Sequence, residues 1–378
     1  MKKTILLLAM AAAITACTND DRYSWDDDFA DLTATDTIDI ALNWSGQTVT
    51  VSGDDNGYVS VSGADVTVRS ATNKFLNLSL SGASTDGSLT IFSWRKLGLT
   101  LAGLQLTNTD GPAINNQCGK SLVVMLAAGT QNILTDGTDY TPAVVGSDTL
   151  DQKGTLFSEG QIYLRGKGAL TVNANARNGI ASDDFIVVED GTLNVNVSTT
   201  GTNGIKVNDG FTVSGGTLNI AVTAPGARGI NSDARTTVSG GTTTITTSGD
   251  CKIETVGGVQ DTTSCAGIKS DSLFTMTAGT LVINSSGDGG KGINCSEDVF
   301  VRGGTLNITT TGSNDVGKPK GVKSDTAIIV SGGSFTVNVS KSWACDNGTD
   351  SDDPADRVTI VGTPATTKLL KKSVVIQY

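Results

Sequence analysis

Two glycine markers recur along this chain with the same unequal steps, and this constrains the fold more than any other feature. Gly179-Ile180, Gly204-Ile205, Gly229-Ile230, Gly267-Ile268, Gly292-Ile293 and Gly321-Val322 are separated by 25, 25, 38, 25 and 29 residues. Gly191-Thr192-Leu193, Gly216-Thr217-Leu218, Gly241-Thr242-Thr243, Gly279-Thr280-Leu281, Gly304-Thr305-Leu306 and Gly333-Ser334-Phe335 repeat those intervals. Markers that stay in step through irregular intervals define a structural unit of about 25 residues. The step of 38 is one unit plus 13 residues, which fall in the region of Cys251 to Cys265.

A unit of short alternating Val, Ile, Leu and Thr runs cannot bury its own apolar face, but stacked copies can. The expected fold is therefore all-β: a right-handed parallel β-helix of about 25 residues per coil, with about three strands in each. Handedness follows the usual sense of parallel crossovers. A meander or sandwich gives strand spacings of about 8 to 12 residues and no reason for this recurrence. Equivalent positions should then stack from coil to coil. Ile180, Ile205, Ile230, Ile268, Ile293 and Val322 should form one interior column, and Leu193, Leu218, Leu281, Leu306 and Phe335 another. The marker glycines should sit at tight turns, where positive φ or close backbone approach excludes a Cβ.

Strand cores such as Leu89-Thr90-Ile91, Leu122-Val123-Val124 and Leu170-Thr171-Val172 extend the design upstream with looser spacing. A stretch from Gly129 to Gly154 reads as a protruding loop. Residues 38 to 85 read as the start and cap of the stack. Lys368, Lys371 and Lys372 beside Val374 to Ile376 read as a charged edge strand that blocks end-to-end association.

Residues 1–16 are expected to be a signal sequence. Lys2 and Lys3 precede an apolar run, Ile5 to Ile14, too short to span a bilayer. Ile14-Thr15-Ala16-Cys17 resembles a bacterial lipobox, which implies lipidation of Cys17. Residues 17–37 read as an acidic tether resembling the export signal of surface lipoproteins in Bacteroidetes, and 38–378 as the β-helix. The expected location is the outer membrane, anchored by lipid alone and exposed at the cell surface. The formal charge is −11, and loss of Lys2 and Lys3 takes it near −13. That balance disfavours nucleic acid, whose phosphates call for a basic face. There is no histidine, which excludes a Ser-His-Asp or Cys-His catalytic set and His-ligated zinc. Lipidation of Cys17 leaves five cysteines, and Cys251 with Cys265, bracketing the insertion, are the expected disulfide.

Several segments resemble the clostridial-type cellulose- and polygalacturonate-binding β-helix proteins. They are Leu99-Thr100-Leu101-Ala102-Gly103-Leu104, Asp110-Gly111-Pro112-Ala113-Ile114, Leu126 to Gly137, Leu156-Phe157-Ser158 and the Gly-Ile-x-Ser-Asp repeats. The resemblance spans about residues 60 to 340. It implies a right-handed parallel β-helix similar to pectate lyases that holds Ca²⁺ and binds acidic or cellulosic polysaccharide without cleavage. One departure stands out. Relatives carry Asp before the repeated Gly-Ile, whereas this chain has Asn178, Asn203, Arg228, Ala266, Lys291 and Lys320. Neutral or basic residues there are poor neighbours for Ca²⁺.

The repeats also imply two charged ladders on one turn. Asp183, Asp209, Asp233, Asp271 and Asp325 are the candidate metal ligands. Lys206, Arg228, Lys269, Lys291 and Lys323 are the candidate ligand-binding cations, suited to charge-assisted contacts with uronate carboxylates. The alternative is mutual neutralisation on a solvated face, where each ion pair contributes about 0 to 1 kcal/mol. Trp94, Tyr140, Tyr163 and Trp343 are the candidate sugar-stacking rings. Two other functions fit the composition: a polysaccharide lyase using Ca²⁺ and a Lys or Arg base, and a structural adhesin.

Overall fold

The computed structural model describes residues 37–378. Cys17, the signal sequence and the tether therefore lie outside the described residues, apart from Thr37, which begins the first strand. The fold is the expected parallel β-helix, a solenoid of about 11 turns with roughly 25 residues per coil. Among the described residues the helical content is one 3₁₀ turn, Pro354–Arg357.

Each regular coil contributes three strands to three faces. One coil shows the plan: Asn178–Ser182 on the first face, Phe185–Val188 on the second and Thr192–Val197 on the third. The next coil repeats it with Ile205–Val207, Gly210–Val213 and Thr217–Val222, each pairing in parallel with its predecessor.

The register confirms the stacking expected from the period. Ile180 pairs with Ile205, then Ile230, Ile268, Ile293 and Val322. The column continues upstream through Leu156, Ile114, Leu89 and Val66. On the third face Leu193, Leu218, Thr243, Leu281, Leu306 and Phe335 succeed one another. All these side chains are no more than 1% exposed. Each fully buried Leu or Ile contributes roughly 1.5–3 kcal/mol, so the columns hold the coils together.

The two glycine markers have different causes. The glycines before Thr adopt left-handed φ, from 66° at Gly241 to 81° at Gly191, and turn the chain between the second and third faces. The glycines before Ile have no positive φ. A Cβ at Gly204 would lie 2.5 Å from the Gly229 carbonyl oxygen and 2.6 Å from Ile220 Cγ2. Close approach across the narrow core explains these glycines, with no left-handed turn involved.

The 13 extra residues form an antiparallel hairpin, Lys252–Val256 with Val259–Thr263, and the coil resumes in register beyond it. The loop expected from Gly129 to Gly154 is shorter than the sequence suggests. Gln131–Thr135 returns to the third face and pairs with Ala169–Asn173. The excursion proper therefore begins at Asp136 and carries a two-residue antiparallel pair, Val144–Val145 with Asp148–Thr149.

Both ends are capped. At the N-terminal end Trp44 is 1% exposed and its indole donates to the Ala64 carbonyl at 2.8 Å. At the other end Ser373–Gln377 runs antiparallel to Ser334–Val339 and buries Val374 and Ile376. The outer edge is Thr366–Leu370, which carries Lys368. The charged edge expected from the lysines is thus one strand further out than Val374 to Ile376.

Candidate functional site

The first face supplies the site. Along its outer side Ala181, Lys206, Asn231, Lys269, Asn294, Lys323 and Asp346 are stacked in register. Lysine and asparagine alternate, which separates the ammonium groups by two coils. Each lysine also meets a carboxylate from the adjoining turn: Lys206 with Asp233, Lys269 with Asp271 and Lys323 with Asp325. These pairs are partly exposed, so each contributes about 0 to 1 kcal/mol. Over these coils the ladders neutralise each other, the second of the two readings left open by the sequence.

The acidic ladder does not assemble as a metal column. Asp233, Asp271 and Asp325 are engaged by their lysines, and Asp209 is exposed on a different register position. Asp209 faces Asp184, whose carboxyl is raised above the usual range by burial and then by Asp209 itself. Only Asp183 belongs to a convergent set. Oxygens of Asp151, Glu159 and Asp183 lie within 4.8 Å of one another. Lys153 sits among them, 2.7 Å from Asp151 and 2.5 Å from Asp183. Burial, then the neighbouring Asp183 and Asp151, push the Glu159 carboxyl up to about 7.

The sequence reading missed two of these carboxylates. Leu156 stacks under Ile180, which puts Glu159 one coil before Asp183 in the acidic ladder. Thr155 stands where later coils have the marker glycine, so the period does not mark this coil. Asp151 arrives from the excursion, which no periodicity governs.

The column before the Gly-Ile marker is more informative. Asn178 donates through its carboxamide to the Lys153 carbonyl at 2.6 Å, and Asn203 donates to Asn178 Oδ1 at 2.9 Å. Asn203 Oδ1 in turn accepts the Arg228 backbone amide at 3.1 Å. The asparagines form a ladder that leads to Arg228. The column then passes through Ala266 and Lys291 to Lys320, and Lys320 is bound to Asp346.

Two adjoining clefts open along this ladder. One, of about 400 Å³, is lined by Lys153, Arg177, Asn178, Asp183, Asn203 and Lys206. The other, of about 690 Å³, is lined by Thr200, Thr202, Asn203, Arg228 and, from the hairpin, Lys252 and Glu254. Thr202 and Asn203 belong to both, so the clefts form one groove across neighbouring coils. Among the described residues Arg228 makes no ion pair, and its Nε is buried without a hydrogen-bond partner. Burial lowers the pKa of the guanidinium, with Asp271 the largest opposing influence. Lys291 is likewise half-buried and pulled down by burial. Of the five expected binding cations, Lys206 and Arg228 therefore line the groove, and Lys269 and Lys323 are paired with carboxylates further along. Lys291 lies beneath the base of the hairpin, near the Cys251 and Cys265 thiols.

The candidate rings are held by the fold. Trp343 lies between Arg357 and Lys371, at 3.8 and 4.5 Å from their charged atoms. Tyr163 is buried against Phe185. Trp94 is exposed, at 43%, with its indole bonded to the Thr72 carbonyl. Tyr140 donates to Asp136 at 2.7 Å with Arg177 over its ring, which places it behind a groove-lining cation.

Cys251 and Cys265 are brought into contact as expected, but as free thiols rather than a bridge. Cys295 replaces the recurring serine between Ser270 and Ser324, and Cys345 ends the isoleucine column.

Comparison with known proteins agrees with this architecture. A family model described as "Carbohydrate-binding domain-containing protein" matches residues 62–251, 219–315 and 275–355. A relative of the same description from Acetivibrio thermocellus is 31% identical over 119 residues, covering 30% of this chain and 40% of the relative. The match thus spans about two fifths of that protein. A solved structure described as the polysaccharide lyase-like protein from C. thermocellum, a gadolinium derivative, is similar with a TM-score of 0.53 and 26% identity. It covers 71% of this chain and 96% of its own.

Proposed function

The chain belongs to the carbohydrate-binding domain-containing protein family, and on that premise we propose that it holds an acidic, polygalacturonate-like polysaccharide along the first face without cleaving it. The observation that carries this reading is Arg228, a half-buried guanidinium that, among the described residues, makes no direct ion pair and leaves its Nε without a hydrogen-bond partner, in a cleft of about 690 Å³. A desolvated cation of this kind is compensated by an anionic ligand able to accept from its planar fork. A uronate supplies one carboxylate per sugar; Arg177 offers a further cation in the same groove, and Lys206 and Lys252 stand there paired with Asp233 and Glu254. Scarce exposed rings argue against stacking on cellulose.

Ca²⁺ belongs to the same reading. The five-residue column does not fit the ion, because its carboxylates are answered by lysines or stand apart. The set Asp151, Glu159 and Asp183 offers three converging hard oxygen ligands, although Ca²⁺ would have to displace Lys153 from Asp151 and Asp183. Bound there, Ca²⁺ would neutralise the carboxylates and bridge to a uronate. Lys153 supplies the counter-charge in its absence.

We further propose lipid anchoring through Cys17 at the outer membrane, with the groove presented to exterior glycans. Labelled palmitate should be incorporated into the wild type and lost in Cys17→Ala.

The test of the binding reading is retention on immobilised polygalacturonate, cellulose and neutral glycans, with and without EDTA. Retention on polygalacturonate alone, weakened by salt, is expected. Failure to retain any glycan overturns the proposal. A lyase is the second reading, favoured by the description of the similar structure and by the burial-lowered pKa of Arg228. Ultraviolet absorbance from an unsaturated uronate product would establish it.

A further inference from the structure

Cys251 and Cys265 stand at the two ends of the hairpin that forms one wall of the Arg228 cleft. The last antiparallel pair of that hairpin is Lys252 with Thr263. Cys251 directly precedes it, and Cys265 follows two residues after it. The thiols touch each other and are 6% and 1% exposed. Beyond them the hairpin is open to solvent, with Ile253 52% and Val259 70% exposed. Lys252, Glu254 and Thr263 face the cleft. A hairpin of two short strands is marginal alone, so the position of this wall depends on what holds its base.

We propose that Cys251 and Cys265 are a thiol–disulfide pair whose closure locks the hairpin 252–263 as the fixed wall of the cleft. The oxidant is a low-molecular-weight disulfide. The Cys251 thiolate attacks one of its sulfurs, forms a mixed disulfide and expels one thiolate. Cys265 then gives up its proton and attacks Cys251 Sγ, and the second small thiolate leaves. Two protein thiols become one disulfide while one small disulfide becomes two thiols. The order of attack follows from the surroundings. The hydrogen bond from Cys265 and the nearby Lys291 ammonium hold the Cys251 thiol below the ordinary range. The same contact and burial push Cys265 up. A thiolate is the attacking species in such exchange. The remaining described cysteines are poor competitors: burial pushes Cys295 up to about 11 and Cys345 up to about 12, while Cys118 is fully buried in the core. The bond chemistry stands apart from the glycan reading, and only its consequence for the cleft rests on that reading.

The test incubates the reduced full-length chain with oxidised glutathione, followed by alkylation, mass spectrometry and hydrogen exchange. The wild type should lose two alkylatable thiols and yield a Cys251–Cys265 cross-linked peptide. Cys265→Ser should retain a glutathione adduct on Cys251, and Cys251→Ser should form neither product. Amides of 252–263 should exchange about tenfold slower or more in the bridged wild type, since opening of this segment is then restrained. Full alkylation after oxidant, or a wild-type adduct that never resolves, overturns the pairing. A bridge that leaves the exchange of 252–263 unchanged overturns the lock. Neither readout involves a glycan, so failure here is distinguishable from failure of the binding proposal.

Discussion

The Asn203 carboxamide donates to Asn178 Oδ1 at 2.9 Å and, with its own oxygen, accepts the Arg228 amide at 3.1 Å. Asn203 is only 9% exposed, so both bonds are largely shielded from water. Replacing it with alanine leaves the Arg228 amide short of its partner, while Asn178 Oδ1 keeps the Thr202 hydroxyl and the backbone amide of residue 203. Asn203→Ala should lower stability by about 1–3 kcal/mol. It should also weaken binding to acidic glycan by loosening the coil that carries Arg228. Thermal melting and titration calorimetry check the two effects.

The isoleucine-side glycines give a second prediction. A Cβ at Gly204 meets a backbone oxygen at 2.5 Å, and the coil spacing fixes that oxygen. Gly204→Ala should therefore destabilise by roughly 2–4 kcal/mol. Gly216→Ala, at φ 70°, should also cost stability through its strained backbone, about 1–3 kcal/mol. Denaturant midpoints for both variants test this.

The third-face column contains one misfit. Thr243 occupies a leucine position, is 1% exposed, and its hydroxyl has no partner. Thr243→Val removes the unpaired hydroxyl while keeping the branched shape. It should raise stability by about 1 kcal/mol, seen as a higher melting temperature with unchanged binding.

Glu159 gives a pH prediction. Its carboxyl is raised to about 7 from an ordinary 4.5, so between these values the folded chain binds more protons than the unfolded one. The contribution of this group to stability is therefore lost as pH rises from about 4.5 to 7, on the order of 2 kcal/mol after allowance for its partial exposure. Glu159→Gln should flatten that slope. Ca²⁺ at pH 8 should raise the melting temperature of the wild type and not of the variant.

Much of this architecture is legible in the residues. The column of Ile180, Ile205 and Ile230, and the hairpin in the longest step, follow from the period because stacking repeats whatever the sequence repeats. The lysine and aspartate ladders are legible too, yet their pairing is not. Whether Lys269 reaches Asp271 or a ligand depends on side-chain reach across a turn. The groove itself escaped the sequence. It is made where the repeat is broken, by Thr200 and Thr202 in a turn, by the inserted hairpin, and by Asp151 from the excursion. Arg228 was visible as a departure from the relatives' aspartate. Its lack of a direct ion pair was not, since that needs the positions of every neighbouring carboxylate.

The most direct test of the account is calorimetric titration of an oligogalacturonate into the wild type, Arg228→Gln and Lys323→Gln. Loss of a charge-assisted contact in a desolvated cleft is expected to raise Kd at least about tenfold for Arg228→Gln. Lys323→Gln, already paired with Asp325 and outside the groove, should stay within about twofold of the wild type. Equal affinities for the wild type and Arg228→Gln would contradict the claim that this guanidinium receives the glycan.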